Sequence, residues 1–209
     1  MTLFIGDVHG KFAQYKRLIR DTRDTIQVGD LGVGFRKWPH GESSTNPPYD
    51  LMVEGNHKFI RGNHDNPTVC RNHSQHLGDV LVTPEMMSVA GALSIDKQWR
   101  MPEYSWWEGE EQSIAELNAA TDLFVNAKPR VMVTHDCPEE IAQLIMGTIP
   151  IIKGLNKTDF PSRTRQALQS MWSAHSPDLW VFGHWYVSRD FVANGTRFVC
   201  LAELEMRGL

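Results

Sequence analysis

Thr2-Leu3-Phe4-Ile5-Gly6-Asp7-Val8-His9-Gly10 is the stretch that decides the fold. Four β-favouring residues stop at a glycine, as a short buried strand does, and the turn that follows presents a carboxylate and an imidazole two residues apart. The same grammar recurs four times. Thr25 to Val28 runs into Gly29-Asp30, and Lys58 to Arg61 into Gly62-Asn63-His64-Asp65. Arg130 to Val133 opens into Thr134-His135, and Leu179 to Phe182 into Gly183-His184. Rigid strands aim the residues at their ends, so ligand sites in layered α/β folds collect there. The glycines permit sharp turns and close backbone approach.

Outward from these turns, Phe12, Tyr15, Leu18 and Ile19 fall on one face at helical spacing. Residues 36–50 are rich in Pro, Gly, Ser and Asn and read as a long surface loop. Ser113 to Val125 carries Ile114, Leu117, Leu123 and Phe124 as a second helix, and Ser162 is placed to cap a third bearing Leu168, Met171 and Trp172. Asn194-Gly195 between Ser188 to Val192 and Thr196 to Leu201 predicts a tight β-hairpin.

The chain has 209 residues, 41% of them hydrophobic, which is enough for one domain spanning 1–209 with its own core. Lys and Arg total 21 against 25 acids, for a net charge of −4, so no global basic field gathers nucleic acid. Cys70, Cys137 and Cys200 are sparse and odd in number, which fits a reducing compartment. No signal-peptide pattern opens the sequence and no run approaches ~18 apolar residues. The expectation is a soluble, cytoplasmic protein.

The turn residues are carboxylates, imidazoles and one amide. Mixed oxygen and nitrogen donors suit divalent Mn, Fe or Zn better than a thiolate site does. Taken in order, GDxHG, GD, GNHD, TH and GH resemble the calcineurin-like metallophosphoesterases, and the motifs frame residues 6–184. The chain looks like a small bacterial or phage-type member, similar to the branch of protein Ser/Thr phosphatases and diadenosine tetraphosphatases.

That resemblance implies an α/β layered fold: a four-layer α/β/β/α sandwich of two mixed β-sheets flanked by helices. It implies two divalent metal ions, Mn first, with Fe, Zn, Ni or Co as alternatives. Asp7 and His9 would hold the first ion, Asp30 would bridge, and Asn63, His135 and His184 would complete the second. His64 and Asp65 would be the catalytic residues, His64 protonating the leaving group after attack by a metal-bridging hydroxide. Two departures stand out. Tyr186 occupies the place of a second His in GHxH, and Val33 and Gly34 replace the Asp and Arg of GDxxDRG, which argues against a dedicated protein phosphatase. Gly55-Asn56-His57-Lys58 mimics the third motif, but Phe59-Ile60-Arg61 and Asp65 favour Asn63 and His64.

Arg61, Arg36, Arg100 and Arg163 are candidates for substrate phosphate. Residues 96–112 concentrate Trp99, Trp106 and Trp107 with Asp96 and Arg100, read either as a packed aromatic loop or as a wall beside the site that stacks on a base or sugar. His40, His57, His73, His76 and His175 read as surface or packing residues, and Cys137 as a buried filler. The function expected is a metal-dependent phosphoesterase acting on a phosphorylated small molecule, nucleotide or phosphoprotein, without a membrane. The alternative is a phosphodiesterase or nuclease using the same centre, with nucleic acid disfavoured as a partner by the charge balance. A non-catalytic scaffold, which should have lost ligands, ranks third.

Overall fold

The computed structural model describes residues 2–35, 47–148 and 160–209. The expected strands appear as β1 (Leu3–Ile5), β2 (Thr25–Gln27), β3 (Lys58–Phe59), β6 (Val131–Thr134), β7 (Leu179–Phe182), β8 (Arg189–Ala193) and β9 (Thr196–Cys200). Three more join them: β4 (Val80–Val82), β5 (Met86–Val89) and β10 (Met206–Gly208). They form a four-stranded sheet ordered β10-β1-β2-β3 and a six-stranded sheet ordered β4-β5-β6-β7-β9-β8. Both sheets are mixed: β1, β2 and β3 run parallel with β10 antiparallel, and β5, β6, β7 and β9 run parallel between antiparallel edges.

The layering follows from side-chain alternation along the strands. On β7, Val181 faces the other sheet while Trp180 and Phe182 face the helices. On β6, Val133 points inward and Met132 outward. Phe4, Val28, Ile60, Ala90, Val133, Val181, Val199 and Leu201 therefore form the layer between the sheets. On the outer face of the large sheet lie α4 (Ile114–Ala127), α5 (Glu139–Met146) and α6 (Arg163–Ala174). They seat Leu117, Phe124, Ile141, Leu168 and Trp172 on Met132, Trp180 and Phe198. On the small sheet, α1 (Phe12–Ile19), α2 (Tyr49–Glu54) and α3 (Pro67–Arg71) pack Tyr15, Ile19, Met52 and Cys70 against Ile5 and Phe59. This is the four-layer α/β/β/α sandwich of two mixed sheets.

Local chemistry sets the element ends. Ser113 caps α4 through a capping box with Glu116, and Ser162 caps α6 by accepting from the Arg165 N–H. The Asn194-Gly195 turn, both residues at positive φ, joins β8 to β9 with Ala193 opposite Thr196. Two sequence expectations shift. The loop expected over 36–50 gives way to α2 at Tyr49, and the rest of that loop falls mostly outside the described residues. The strand expected to reach Arg61 stops at Phe59; Ile60 still donates to the Gln27 carbonyl at 3.1 Å, and the chain turns at Asn63. No helix among the described residues is long and apolar enough to cross a membrane.

Candidate metal centre

Since β1, β2 and β3 are parallel, as are β6 and β7, the carboxyl ends of both sheets deliver their turns to one place. Asp7, His9, Asp30 and Asn63 arrive from the small sheet, and His135 and His184 from the large one. Asp30 stands between them. Its Oδ1 lies 3.2 Å from His135 Nε2, and its Oδ2 lies 3.8 Å from His9 Nδ1 and 3.9 Å from His64 Nε2. Two overlapping groups can hold an ion, His9 with Asp30 and His64, and Asp30 with His135 and His184. Asn63 Oδ1 is 3.2 Å from His135 Nε2, and Asp7 Oδ2 is 3.5 Å from His9 Nε2.

The backbone is bent to achieve this. His9, Asp30, His184 and Tyr186 all have positive φ, a conformation that costs non-glycine residues energy and persists where surroundings enforce it. Two glycines are required by close approach. A Cβ on Gly62 would sit 2.1 Å from Asp30 Oδ1, and one on Gly183 would sit 2.2 Å from Asp7 Oδ1. Backbone contacts then orient the donors. His64 N–H donates to Asp30 Oδ1 at 2.7 Å, and His184 N–H to Asp7 Oδ1 at 3.1 Å. His135 Nδ1 donates to the Val28 carbonyl at 2.9 Å, turning Nε2 into the site.

These residues fit a cation. Among the described residues, Asp7 Oδ2, His9 Nε2 and Asp30 Oδ2 are buried with no hydrogen-bond partner. Buried polar atoms normally have one, so three orphans converging here mark a place built for positive charge. The titration behaviour agrees. Burial works to raise the Asp30 carboxyl, yet His135, His64 and His9 hold it well below the usual range. Burial works to lower His135, yet Asp30 and Asp7 push it up to about 10. Neutral oxygen and nitrogen donors beside two carboxylates suit a divalent ion of intermediate hardness.

Above the donors lies a cavity of about 510 Å³ lined by His9, Lys11, Phe35, His64, Asp96, Trp99, Arg100, Tyr186 and Glu203, among others. The 96–112 segment is thus in part the wall of the site. Trp99 is 79% exposed on it, while Trp107 is buried and meets Phe35 edge-on. Arg100 is gripped by Asp96 and extends Nη2 to 2.5 Å from His64 Nε2. Burial first, then the Arg100 charge, pushes His64 down to about 3, against the pull of Asp30. Tyr186, at the place of the second His of GHxH, stacks on the His9 ring at 5.3 Å.

Three expectations are corrected by geometry. Asp65 does not face the cavity. Its carboxylate is fully buried and accepts from the N–H groups of Leu31, Gly32, Val33 and Gly62, so it clasps the Asp30 turn to the Asn63 turn. Arg61 does not reach for phosphate either. It is fully buried, bonding Asp79 at 2.6 Å and the Glu110 carbonyl at 2.8 Å. Arg163 is spent on the backbone carbonyls of Gln112 and Glu111. Arg36 and His40 lie outside the described residues. The mimic motif packs elsewhere, with His57 on Thr25 and Asn56 on Asp24. His73 and His175 likewise pack away from the site, on Tyr49 and on the Pro129 carbonyl. Cys137 is buried. Reasoning from sequence missed Ser94 and the part played by Glu110, which hold Asn63 from behind; Glu110 lies in the 96–112 segment singled out above, but neither residue carried a motif signal.

The sequence matches the family model of the calcineurin-like phosphoesterases over residues 1–188, and the chain belongs to that family. It is a hydrolase acting on phosphoester bonds, and its family is metal-dependent. Among solved structures it is similar to a phosphopantetheinyl hydrolase from Mycobacterium tuberculosis, with a TM-score of 0.52 and 14% identity over 97% of this chain and 89% of that one. GAP50, the anchor in the inner membrane complex of Plasmodium, gives a TM-score of 0.50 and 12% identity over 96% of this chain and 71% of that one. At such identities these likenesses speak for the fold. No curated protein matches the sequence.

Proposed function

We propose that the chain hydrolyses phosphomonoesters of small or moderate size at two divalent ions, Mn foremost, bridged by Asp30. Asp7 and His9 would hold one ion, and Asn63, His135 and His184 the other. The observation that carries this is the single Asp30 carboxylate common to the His9–Asp30–His64 and Asp30–His135–His184 groups, with Oδ2 toward His9 and Oδ1 toward His135. Ions bound there would acidify a water and neutralise phosphoryl charge.

The chain's own side chains would do the rest. Arg100 is the phosphate contact: its guanidinium reaches the cavity floor beside His64 and is always charged. In the present arrangement it donates into His64 Nε2, so a proton on that nitrogen and this position of Arg100 exclude each other. Substrate phosphate drawing Arg100 away would leave His64 Nε2 free to take up a proton from solvent and pass it to the departing oxygen. Phe35, Trp99 and Tyr186 would line the path of the leaving group and exclude water.

The diesterase or nuclease reading is weaker on the structure's own terms. Among the described residues lining the cavity, Lys11 and Arg100 are the cations, paired with Glu203 and Asp96, and such a small basic set suits a compact phosphate better than a nucleic-acid backbone. The test is Mn-stimulated hydrolysis of a chromogenic monoester and diester, with Asp30→Asn as control. Monoester turnover that is lost in the control supports the proposal. Preference for the diester transfers it to the alternative, and metal binding with neither activity returns the scaffold reading.

A further inference from the structure

Behind Asn63 runs a chain of buried contacts that the reaction as proposed does not use. Asn63 Nδ2 donates to Ser94 Oγ at 2.9 Å. Ser94 Oγ in turn donates to Glu110 Oε2 at 2.5 Å, and Ser94 N–H donates to Glu110 Oε1 at 3.0 Å. The Glu110 carbonyl accepts from Arg61, which is anchored on Asp79. Asn63, Ser94 and Glu110 are each at most 3% exposed.

The direction of these bonds matters more than their number. A serine hydroxyl has one proton, and an ionised carboxylate can only accept; burial raises the Glu110 carboxyl, but the two bonds it takes from Ser94, the N–H on Oε1 and the hydroxyl on Oε2, oppose that and suit the ionised acceptor. Facing Glu110, Ser94 must spend its proton there and can offer Asn63 only a lone pair. The amide of Asn63 must therefore turn its NH₂ to Ser94 and its oxygen to the site, where Oδ1 stands 3.2 Å from His135 Nε2. An amide has two nearly isosteric faces, and only the oxygen can ligate a cation.

We infer that Ser94 and Glu110 are positioning residues that select the metal-facing orientation of Asn63. The inference rests on the proposed metal centre and adds a determinant of its affinity. Glu110→Gln is the sharpest probe, since it preserves shape while inverting the polarity. The Gln oxygen must stay on the Ser94 N–H, which puts its NH₂ against Ser94 Oγ. The serine proton is then released toward Asn63, which rewards the wrong face of the amide.

The experiment measures Mn(II) binding to the full chain, stripped of metal, by the electron paramagnetic resonance of free Mn(II). Parent, Ser94→Ala, Glu110→Gln and Ser94→Thr are compared, alongside melting temperatures without metal. Losing an outer partner of a ligand typically costs 10–100-fold in metal affinity. We expect roughly that loss for one of two bound ions in Ser94→Ala and Glu110→Gln, with Ser94→Thr close to the parent because it keeps the hydroxyl. Should Ser94→Ala not fold, the Glu110→Gln and Ser94→Thr pair carries the same comparison. Equal affinity in parent and Glu110→Gln overturns the inference and leaves the metal centre standing. A parent that binds no Mn(II) overturns both.

Discussion

Asp65→Asn should unfold this protein far more readily than its near-isosteric change suggests. The parent carboxylate gives Oδ1 to the N–H groups of Gly32 and Val33, at 2.7 and 2.8 Å, and Oδ2 to those of Leu31 and Gly62, at 3.2 and 2.8 Å. Asparagine keeps one oxygen, and its NH₂ confronts two N–H donors whichever way it turns. Each stranded buried N–H costs about 1–3 kcal/mol, so two cost about 2–6 kcal/mol. Part of this is returned, because the parent also buries a charge: burial, then Asp30, pushes the Asp65 carboxyl up against the pull of those N–H groups. The net expected is a loss of about 2–4 kcal/mol against a typical total of about 5–15 kcal/mol. Urea denaturation of the metal-free protein reads it as a lower midpoint with unchanged slope. Below about 1 kcal/mol, the four-amide clasp is not what holds the two turns together. Activity should fall with stability, because Leu31 and Gly32 directly follow Asp30. A variant of parent stability with no turnover would instead put Asp65 in the chemistry.

Arg100→Ala should remove the proposed charge-assisted phosphate contact, worth about 1.5–3 kcal/mol, and so lower kcat/KM on a monoester roughly 10–150-fold. Partial recovery in Arg100→Lys is expected, and an unchanged kcat/KM would remove Arg100 from the substrate. Gly183→Ala forces a Cβ to 2.2 Å from Asp7 Oδ1; bound metal should fall severalfold in elemental analysis, whereas full metal occupancy would show that Asp7 is no ligand. Asp79→Asn strands the buried Arg61 charge, at a cost of about 3 kcal/mol at neutral pH. Burial works to raise the Asp79 carboxyl, but Arg61 and Arg71 hold it below its usual range. Its stabilisation is therefore complete above the ordinary carboxyl pKa and drains away as pH falls through the lowered one. The stability gap between parent and Asp79→Asn should narrow in acid, and a gap constant with pH would contradict the pairing.

How much of this was legible in the sequence depended on how local each signal was. The strand ends carrying Asp7, Asp30, Asn63, His135 and His184 could be read because each couples a β-rich run to a glycine or threonine turn within a few residues. The caps at Ser113 and Ser162 and the Asn194-Gly195 hairpin are equally local. By contrast, β10 is Met-Arg-Gly, with no strand preference of its own, and exists because β1 needs a partner for its free edge. Ser94 and Glu110 lie sixteen residues apart and meet only in three dimensions. Arg61 misled for a related reason. Beside the GNHD motif it looked like a phosphate ligand, and only the distant Asp79 and Glu110 reveal a brace. A charged residue next to a motif is ambiguous until its partners are known.

The division of the donors between the sheets has a mechanical consequence. Asp7, His9, Asp30 and Asn63 are mounted on the small sheet, His135 and His184 on the large one, and the layer of Phe4, Val28, Ile60, Val133, Val181 and Val199 lies between. Val28 belongs to both arrangements, its side chain in that layer and its carbonyl on His135 Nδ1. Packing at this density transmits small displacements rather than absorbing them. A cation held by donors from both sides therefore resists the same separation that the apolar layer resists, and binding to the folded chain alone raises its stability with metal concentration. The strain at His9, Asp30 and His184 fits this view, because left-handed backbone at the donors is affordable where a core and a cation together hold it in place.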